Sequence, residues 1–292
     1  MMGRRLIVNA DGFGFTEGVN RGILETFECG VVKSTSVLAN FPPIEELPEL
    51  HRRFPEVSVG VHLNLSVGRP VLDASQIPTL VGSDGRFRPD FVRALLRGRI
   101  RSAEMKAELT AQIRRILDLG VSPTHIDGHQ NKHLYPPFFR VALQVARELG
   151  IPCMRTHRRY LYTGARSARS LFGYYARHPR QVGTHLAGRL FSRWAEGTGL
   201  RLADRLITPG YIGGDHKSSL DTWCRLLADL PEGWNEIYCH PGYPDDALRE
   251  HATYVEERRQ EIDVLCDPRV REVASAKGVE FVSFHELIGA GP

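Results

Sequence analysis

Short apolar segments alternate with longer amphipathic segments along this chain of 292 residues. The first apolar segment, 5–10, predicts a strand. Thr16 can cap the helix that follows, in which Val19 and Ile23 recur at helical spacing. The same two patterns predict further strands over 34–39, 57–65, 124–127, 235–240 and 279–283, and helices over 102–120, 136–149, 220–230, 254–265 and 268–277.

This alternation predicts an α/β fold with a parallel sheet, because parallel strands need crossover connections between them. Periodicity alone does not distinguish an open doubly wound sheet from a closed barrel. Residues 66–101 are rich in glycine, proline and aspartate and are predicted to be mostly loop. No internal repeat or low-complexity linker divides the chain, so we predict a single domain over 1–292 with an insertion at 155–207.

Composition narrows the class of protein. Hydrophobic residues make up 42% and charged residues 25%, which argues against a disordered, fibrous or coiled-coil chain. The longest apolar runs are far shorter than the roughly 20 residues of a membrane-spanning helix, and the N-terminal run is too short for a signal peptide. We therefore expect a cytoplasmic protein. Its five cysteines include no closely spaced pair, so they are expected to be mostly buried, reduced thiols.

Histidine and aspartate cluster where predicted strands end, which is where α/β folds bind ligands. These residues are Asp11, His62, Asn64, His125, Asp127, His129, His133 and His240. Imidazole and carboxylate groups bind divalent first-row metals, and metal-bound water ionises near neutral pH. Taken singly, His62 could be a hydrogen-bonded core histidine, and His125 with Asp127 could cap a strand. Together the cluster predicts a metal or acid–base site.

Four motifs carry a family resemblance. N-A-D-x-F-G at 9–14, G-V-H-L-N-L at 60–65, T-H-x-D-x-H-Q-x-x-H at 124–133 and C-H-P-G at 239–242 resemble the YdjC-like carbohydrate deacetylases, of the chitooligosaccharide and hopanoid type. The likeness extends over nearly the whole chain apart from the insertion. It implies an irregular (β/α) barrel of the glycoside hydrolase/deacetylase type and the metal-dependent removal of an N-acetyl group from an amino sugar.

The resemblance also implies roles for individual residues. In that family the first Asp of the first motif acts as general base, which here is Asp11. His62 and His129 are then metal ligands, and His240 is the general acid. Further contacts with the substrate are expected from Asn64, Asp127, Asn131, His133 and Arg155.

Two positions depart from the family pattern. Gly12 stands where the family usually has a second Asp that ligates the metal, and Asn131 stands where it tends to have another His. Asp11 could then be the ligand itself, with Asp127 as the nearest alternative base. Water or substrate could instead complete a two-histidine shell, or the site could have lost metal and catalysis. We expect a weakly bound divalent ion, which could be Zn²⁺, Mg²⁺ or another first-row ion.

The net charge of +4 conceals an uneven distribution. Residues 149–195 contain nine arginines and no Asp or Glu, so the rest of the chain carries +4 − 9 = −5. Aromatic residues are interspersed with these arginines. The segment could be a lid for an anionic sugar carrier, such as a nucleotide diphosphate or a lipid phosphate, or it could contact a membrane surface. A solvated helical hairpin with a buried aromatic stripe is the structural alternative.

The leading hypothesis is a hydrolase that deacetylates an amino sugar, free or linked to a phosphate or lipid carrier. One rival is a non-catalytic sugar-binding or regulatory protein on a degenerate barrel, which Gly12 favours. Another is a metal-assisted hydrolase of a different bond. No nucleic-acid partner is expected, because the site chemistry indicates sugar hydrolysis. A homodimer and peripheral membrane contact both stay open.

Overall fold

The computed structural model describes residues 3–161, 172–173, 176–208 and 219–290. Within them, a parallel sheet has the strand order β5-β4-β3-β2-β1-β8-β7-β6, and β9 pairs with the start of β1. The strands are β1 Arg4–Phe13, β2 Ser34–Val37, β3 Ser58–Leu63, β4 His125–Gly128, β5 Cys153–Met154, β6 Arg159–Leu161, β7 Arg205–Thr208, β8 Gly233–Cys239 and β9 Val279–Val282.

The sheet curls because its two edge strands are neighbours in the sequence. Only residues 155–158 separate β5 from β6. On the outer side of β5, Cys153 forms a parallel bridge with Arg201, shortly before β7. The two edges are thereby held near each other, which confirms the predicted irregular (β/α) barrel. Both β6 and β7 lie partly or wholly within the expected insertion 155–207, so these parts of it belong to the sheet.

Helices connect the strands, and the helices that the periodicity predicts are present with bounds that differ by a few residues. They are α1 Glu17–Glu28, α2 Leu47–Arg53, α3 Phe91–Leu96, α4 Ser102–Asp118, α5 Pro136–Glu148, α6 Pro179–Gly197, α7 Leu220–Ala228, α8 Asp246–His251, α9 Glu257–Leu265, α10 Pro268–Ala276 and α11 Phe284–Gly289. The sequence did not predict α3, α8 and α11, which have six residues each and are too short to show a helical period. Helix α6 lies in the basic segment, for which a helical hairpin was only the structural alternative.

Side-chain alternation along β1 determines what lies inside the barrel. Ile7, Asn9 and Asp11 share one face of the strand, and the residues between them point into the apolar layer under the helices. Ile7 packs with Cys153 and Phe284 at one end of the interior. Asp11, two residues beyond Asn9, is therefore carried to the opposite end, at the carboxyl edge of the sheet.

The expectation of reduced cysteines fails for two of the five. Cys29, which follows α1, and Cys266, which follows α9, form a disulfide. Their 237-residue separation gives no local signal in the sequence. Cys153 and Cys239 are free and buried, as expected, and Cys224 is free and half-buried.

No helix among the described residues combines the length and the apolar character needed to cross a bilayer. The cytoplasmic location and the homodimer stay predictions.

Candidate active site

A cavity of about 430 Å³ opens at the carboxyl edge of the sheet. Seven of the residues singled out in the sequence line it: Asp11, Gly12, His62, His129, Asn131, Arg155 and His240. They come from strands far apart in the sequence, and the parallel arrangement brings the carboxyl ends of those strands together. The cavity is the candidate active site.

Arg155 is the centre of the charged network beneath this cavity. It directly follows β5 and is 2% exposed. Its Nη1 and Nη2 donate to the two carboxylate oxygens of Asp11 at 2.7 and 2.6 Å. Nη2 also lies 2.8 Å from Asp127, and Nε donates to Glu236 at 2.7 Å. One guanidinium therefore joins three carboxylates from β1, β4 and β8.

Burial and charge act against each other in this network. Burial alone would lower the pKa of Arg155, but Asp11 and Asp127 raise that pKa well above its usual value. Burial alone would raise the pKa of Asp127, but Arg155 and His62 outweigh it and hold the pKa low. For Glu236 burial dominates, and its pKa rises to about 7 although Arg155 opposes the rise. Arg155 supplies one positive charge, whereas the three carboxylates carry three negative charges when all are ionised.

His62 is oriented by its contacts beneath the cavity. Its Nδ1 lies 2.7 Å from Oδ1 of Asp127 and 3.1 Å from the hydroxyl of Ser36. Because Arg155 and His62 hold the pKa of Asp127 low despite its burial, Asp127 is a carboxylate and accepts a hydrogen bond from the N–H of Nδ1. That contact leaves Nε2 of His62 with a lone pair as the available metal-ligand atom. Asp127 thus positions His62, and both of its own oxygens already have partners.

His129 presents a second imidazole to the same space. Its ring centroid is 5.4 Å from that of His62, at an angle of 77°. Burial holds the pKa of His129 well below its usual value, so the ring is neutral. Its Nε2 is buried and accepts or donates no hydrogen bond among the described residues. A buried, neutral and unpartnered imidazole nitrogen is a fitting metal ligand.

The residues present fit a divalent ion, but with fewer ligands than the family pattern implies. Ligand atoms of Asp11, His62 and Asp127 lie within 4.8 Å of one another. Both carboxylates already accept hydrogen bonds, but Asp11 lines the cavity with His62 and His129, whereas Asp127 lies beneath it. His129 is not part of the group whose ligand atoms lie within 4.8 Å. Gly12 contributes no side chain: it is the irregular position between β1 and β2, with φ +102°.

His240 lies on the cavity wall just after β8 and is half-buried. Its backbone N–H donates to Glu261 at 2.6 Å, and its ring meets that of Tyr254 edge to face, with centroids 5.7 Å apart. Tyr254 donates its hydroxyl hydrogen to the same Glu261. Arg258, also on the wall, donates from Nε to the carbonyl oxygen of Tyr254. These contacts fix the backbone that carries His240.

The other expected substrate contacts lie at different depths. Asn131 lines the cavity in a left-handed conformation, φ +55°. Asn64 lies outside the lining and holds the following loop: its amide oxygen accepts from Val67 N at 3.1 Å. His133 is buried, with its Nε2 3.1 Å from Nε2 of His157. Contact of Asn64 or His133 with substrate stays a prediction, and neither side chain belongs to the cavity wall.

Sequence reasoning missed several wall and support residues. Glu236, Arg258 and Glu261 were not singled out, although a glutamate inside an apolar strand, as in Asn235-Glu236-Ile237, is a visible signal. Part of the basic segment, including Arg166 and Arg169, lies outside the described residues. Of its described arginines, Arg158 forms a salt bridge with Glu196.

Comparisons with known proteins agree with this architecture. The family model for YdjC-like proteins matches residues 5–276. Carbohydrate deacetylases of Geobacillus stearothermophilus and Halalkalibacterium halodurans are 33% and 32% identical, over 98% and 92% of this chain and 99% and 98% of theirs. A solved Enterococcus faecalis structure, described as a cellobiose-phosphate cleavage protein, shares 29% identity with a TM-score of 0.76, over 98% of this chain and 99% of that chain. The predicted resemblance is confirmed, and the chain belongs to the YdjC-like protein family.

Proposed function

We propose that this protein is a carbohydrate N-deacetylase, which hydrolyses the acetamide of an amino sugar to acetate and a free amine. The observation that carries the proposal is the Asp11 carboxylate, clamped by Arg155 in a cavity that also presents His62, His129 and His240. The names of the two carbohydrate deacetylases support the substrate class. A cavity of about 430 Å³ is within the range of small-molecule sites.

Asp11 is proposed as the general base. Arg155 binds both of its oxygens, and Asn9 Nδ2 donates to Oδ1 at 2.7 Å, so the carboxylate has one fixed orientation. A fixed carboxylate at the cavity wall can accept the proton of an attacking water. His240 is proposed as the general acid, which donates a proton to the amine as the amide bond breaks.

His62 and His129 are proposed to hold a divalent ion, and the Asp11 carboxylate, as general base, lies beside it on the cavity wall. Two imidazole nitrogens favour zinc or another first-row ion over magnesium, which prefers oxygen ligands. When bound, such an ion would polarise the amide carbonyl and lower the pKa of water. Asp127 would keep His62 in the required tautomer, and Arg155 would prevent Asp11 from rotating out of the site.

We propose further that the sugar is attached to a phosphate or lipid carrier. A second cavity, of about 420 Å³, adjoins the first and shares Gln130 and Asn131 with it. Lys132 and Arg159 line this second cavity together with apolar side chains that include Phe191. Two cations beside apolar surface suit the phosphate of a carrier.

Acetate release from N-acetylated sugars, free and phosphate-linked, in the presence of added Zn²⁺, tests the proposal. Asp11→Asn should lower turnover by about 100-fold or more, which is the usual contribution of a general base. Asp118→Asn, at an exposed aspartate at the end of α4, is the matched control and should leave turnover unchanged. Turnover by Asp11→Asn equal to that of the parent would contradict the role of Asp11. A parent that binds sugar but never releases acetate would favour the sugar-binding alternative.

A further inference from the structure

Helix α6 presents two dissimilar faces. Its inner face consists of small buried residues, Gly188, Ser192 and Ala195. A Cβ at Gly188 would lie 2.2 Å from the carbonyl oxygen of His157, and the hydroxyl of Ser192 accepts the N–H of His157 at 3.0 Å. The helix therefore packs directly against the backbone that leads into β6. This packing determines which side of the helix faces outward.

The outer face is apolar although it is exposed. Val182, Leu186 and Leu190 recur at four-residue spacing, and Leu186 and Leu190 are 56% and 66% exposed. Phe172, earlier in the same segment, is 76% exposed. A helix whose outer face carries leucines in a row normally has a partner for that face, since aligned exposed leucines are costly in water.

Arginines flank this apolar row on the same side of the helix. Arg189 and Arg193 are exposed, and no salt bridge among the described residues includes either of them. Several other surface arginines do pair with carboxylates; Arg249 and Arg259 do so at 2.8 and 2.9 Å. The sequence around α6 contains no Asp or Glu from residue 149 to residue 195. The centre of this face is thus apolar, and the arginines at its side carry positive charge that no neighbouring carboxylate in the segment neutralises.

From this combination we infer that the outer face of α6 docks onto an anionic lipid bilayer. Leucines that enter the acyl boundary while arginines remain among anionic headgroups are the pattern of helices that lie in a membrane surface. Charge favours this occupant over a second copy of the chain. A symmetric dimer through this face would collect Arg189 and Arg193 of both copies at one interface, and residues 149–195 contain no acidic residue to offset them.

Vesicle co-sedimentation of the full chain tests the inference. The probes are vesicles of phosphatidylcholine alone and vesicles with roughly one-third phosphatidylglycerol, whose charge attracts basic residues. We expect binding to the anionic vesicles alone at about 0.1 M salt, and loss of most of it at about 1 M, where the screening length falls to about 3 Å. Arg189→Gln/Arg193→Gln should weaken binding about fivefold for each arginine removed.

Leu186→Gln/Leu190→Gln should weaken vesicle binding at least as strongly. The matched control is Arg114→Gln/Leu117→Gln, because both residues are exposed on α4 and α4 is not part of the proposed face. Should the leucine variant unfold, the arginine variant decides. Equal binding to neutral vesicles, or equal losses in the control, would overturn the inference. The inference would also be overturned if the parent did not bind vesicles but associated with itself, and if Leu186→Gln/Leu190→Gln abolished that self-association. No substrate is used, so the result does not depend on the proposed function.

Discussion

Arg155→Met removes the positive charge from the barrel interior while keeping most of the side-chain volume. The parent side chain makes contacts of 2.6 to 2.8 Å with Asp11, Asp127 and Glu236, and all four groups are buried. The variant leaves these carboxylates without their common counter-charge. Removing one partner from a buried ion pair typically costs about 3–5 kcal/mol in free energy of unfolding.

For a chain of this length, an unfolding entropy of about 2.1 cal/mol/K per residue converts that loss into a fall in Tm of about 5–8 °C. Thermal and urea unfolding at pH 8 measure both quantities. Arg114→Met, at an exposed arginine of α4, is the control, and it should change the free energy of unfolding by less than about 0.5 kcal/mol.

The pH dependence makes the prediction sharper. In the parent, burial alone would raise the pKa of Asp127, but Arg155 and His62 hold it below its unfolded value, so its stabilisation is present above the unfolded pKa and is lost as pH falls. In Arg155→Met the main charge opposing burial is gone, so this pKa should rise above the unfolded value. Stability of the variant is then lost as pH rises. The difference between parent and variant should therefore widen from pH 4 to pH 8. A difference under about 1 kcal/mol at pH 8, with no change between the two pH values, would refute the reasoning.

Two further predictions concern Gly12 and the disulfide. Gly12→Asp should tighten Zn²⁺ binding in calorimetric titration, because a Cβ there meets nothing closer than Leu38 at 4.0 Å, while φ +102° costs about 1 kcal/mol or more of stability. Gly12→Asn carries the same strain without a carboxylate, and an equal gain in affinity from it would contradict the prediction. Cys29→Ser should lower the free energy of unfolding by at most roughly 5 kcal/mol, the chain-entropy value for closing a loop of 237 residues. Cys224→Ser is the control, and equal Tm values for the two variants under oxidising conditions would count against a stabilising disulfide.

The sequence predicted well which residues line the cavity. It predicted less well which atoms each of these residues contacts. Asp11 and His62 lie near the carboxyl ends of β1 and β3, and His240 directly follows β8, and a parallel sheet must bring such positions to one edge. The contacts between them depend on side-chain direction across non-neighbouring strands, which periodicity does not contain. Arg155 illustrates the limit. It lies after a strand of two residues, β5, which is too short for any pattern, so the sequence places Arg155 in the insertion and does not indicate its contacts with three carboxylates.

Long-range pairings were hidden for a related reason. Cys29 and Cys266 each follow a helix in separate parts of the chain, and nothing in their spacing indicates that α1 and α9 are neighbours. The exposed row of apolar residues on α6 was not predicted for a different reason. Arginine and aromatic residues dominate the composition of 149–195, and only the orientation of the helix separates the leucines that face outward from Phe191, which packs on Phe139 with centroids 4.6 Å apart.

Glycine at position 12, where the family usually has Asp, takes away one metal ligand, but the site keeps its negative charge. Arg155, Asp11, Asp127 and Glu236 together carry 1 − 3 = −2 when all are ionised. Burial raises the pKa of Glu236 to about 7, so near neutral pH the charge of the network is negative whether or not Glu236 is ionised. A cation beside Asp11 and the two imidazoles would offset that negative charge, so the electrostatic attraction persists with glycine at position 12. What Gly12 removes is one oxygen of the coordination shell. Gly12→Asp should therefore act mainly by completing that shell, and its effect on affinity should depend on salt only weakly, since the charges concerned are buried.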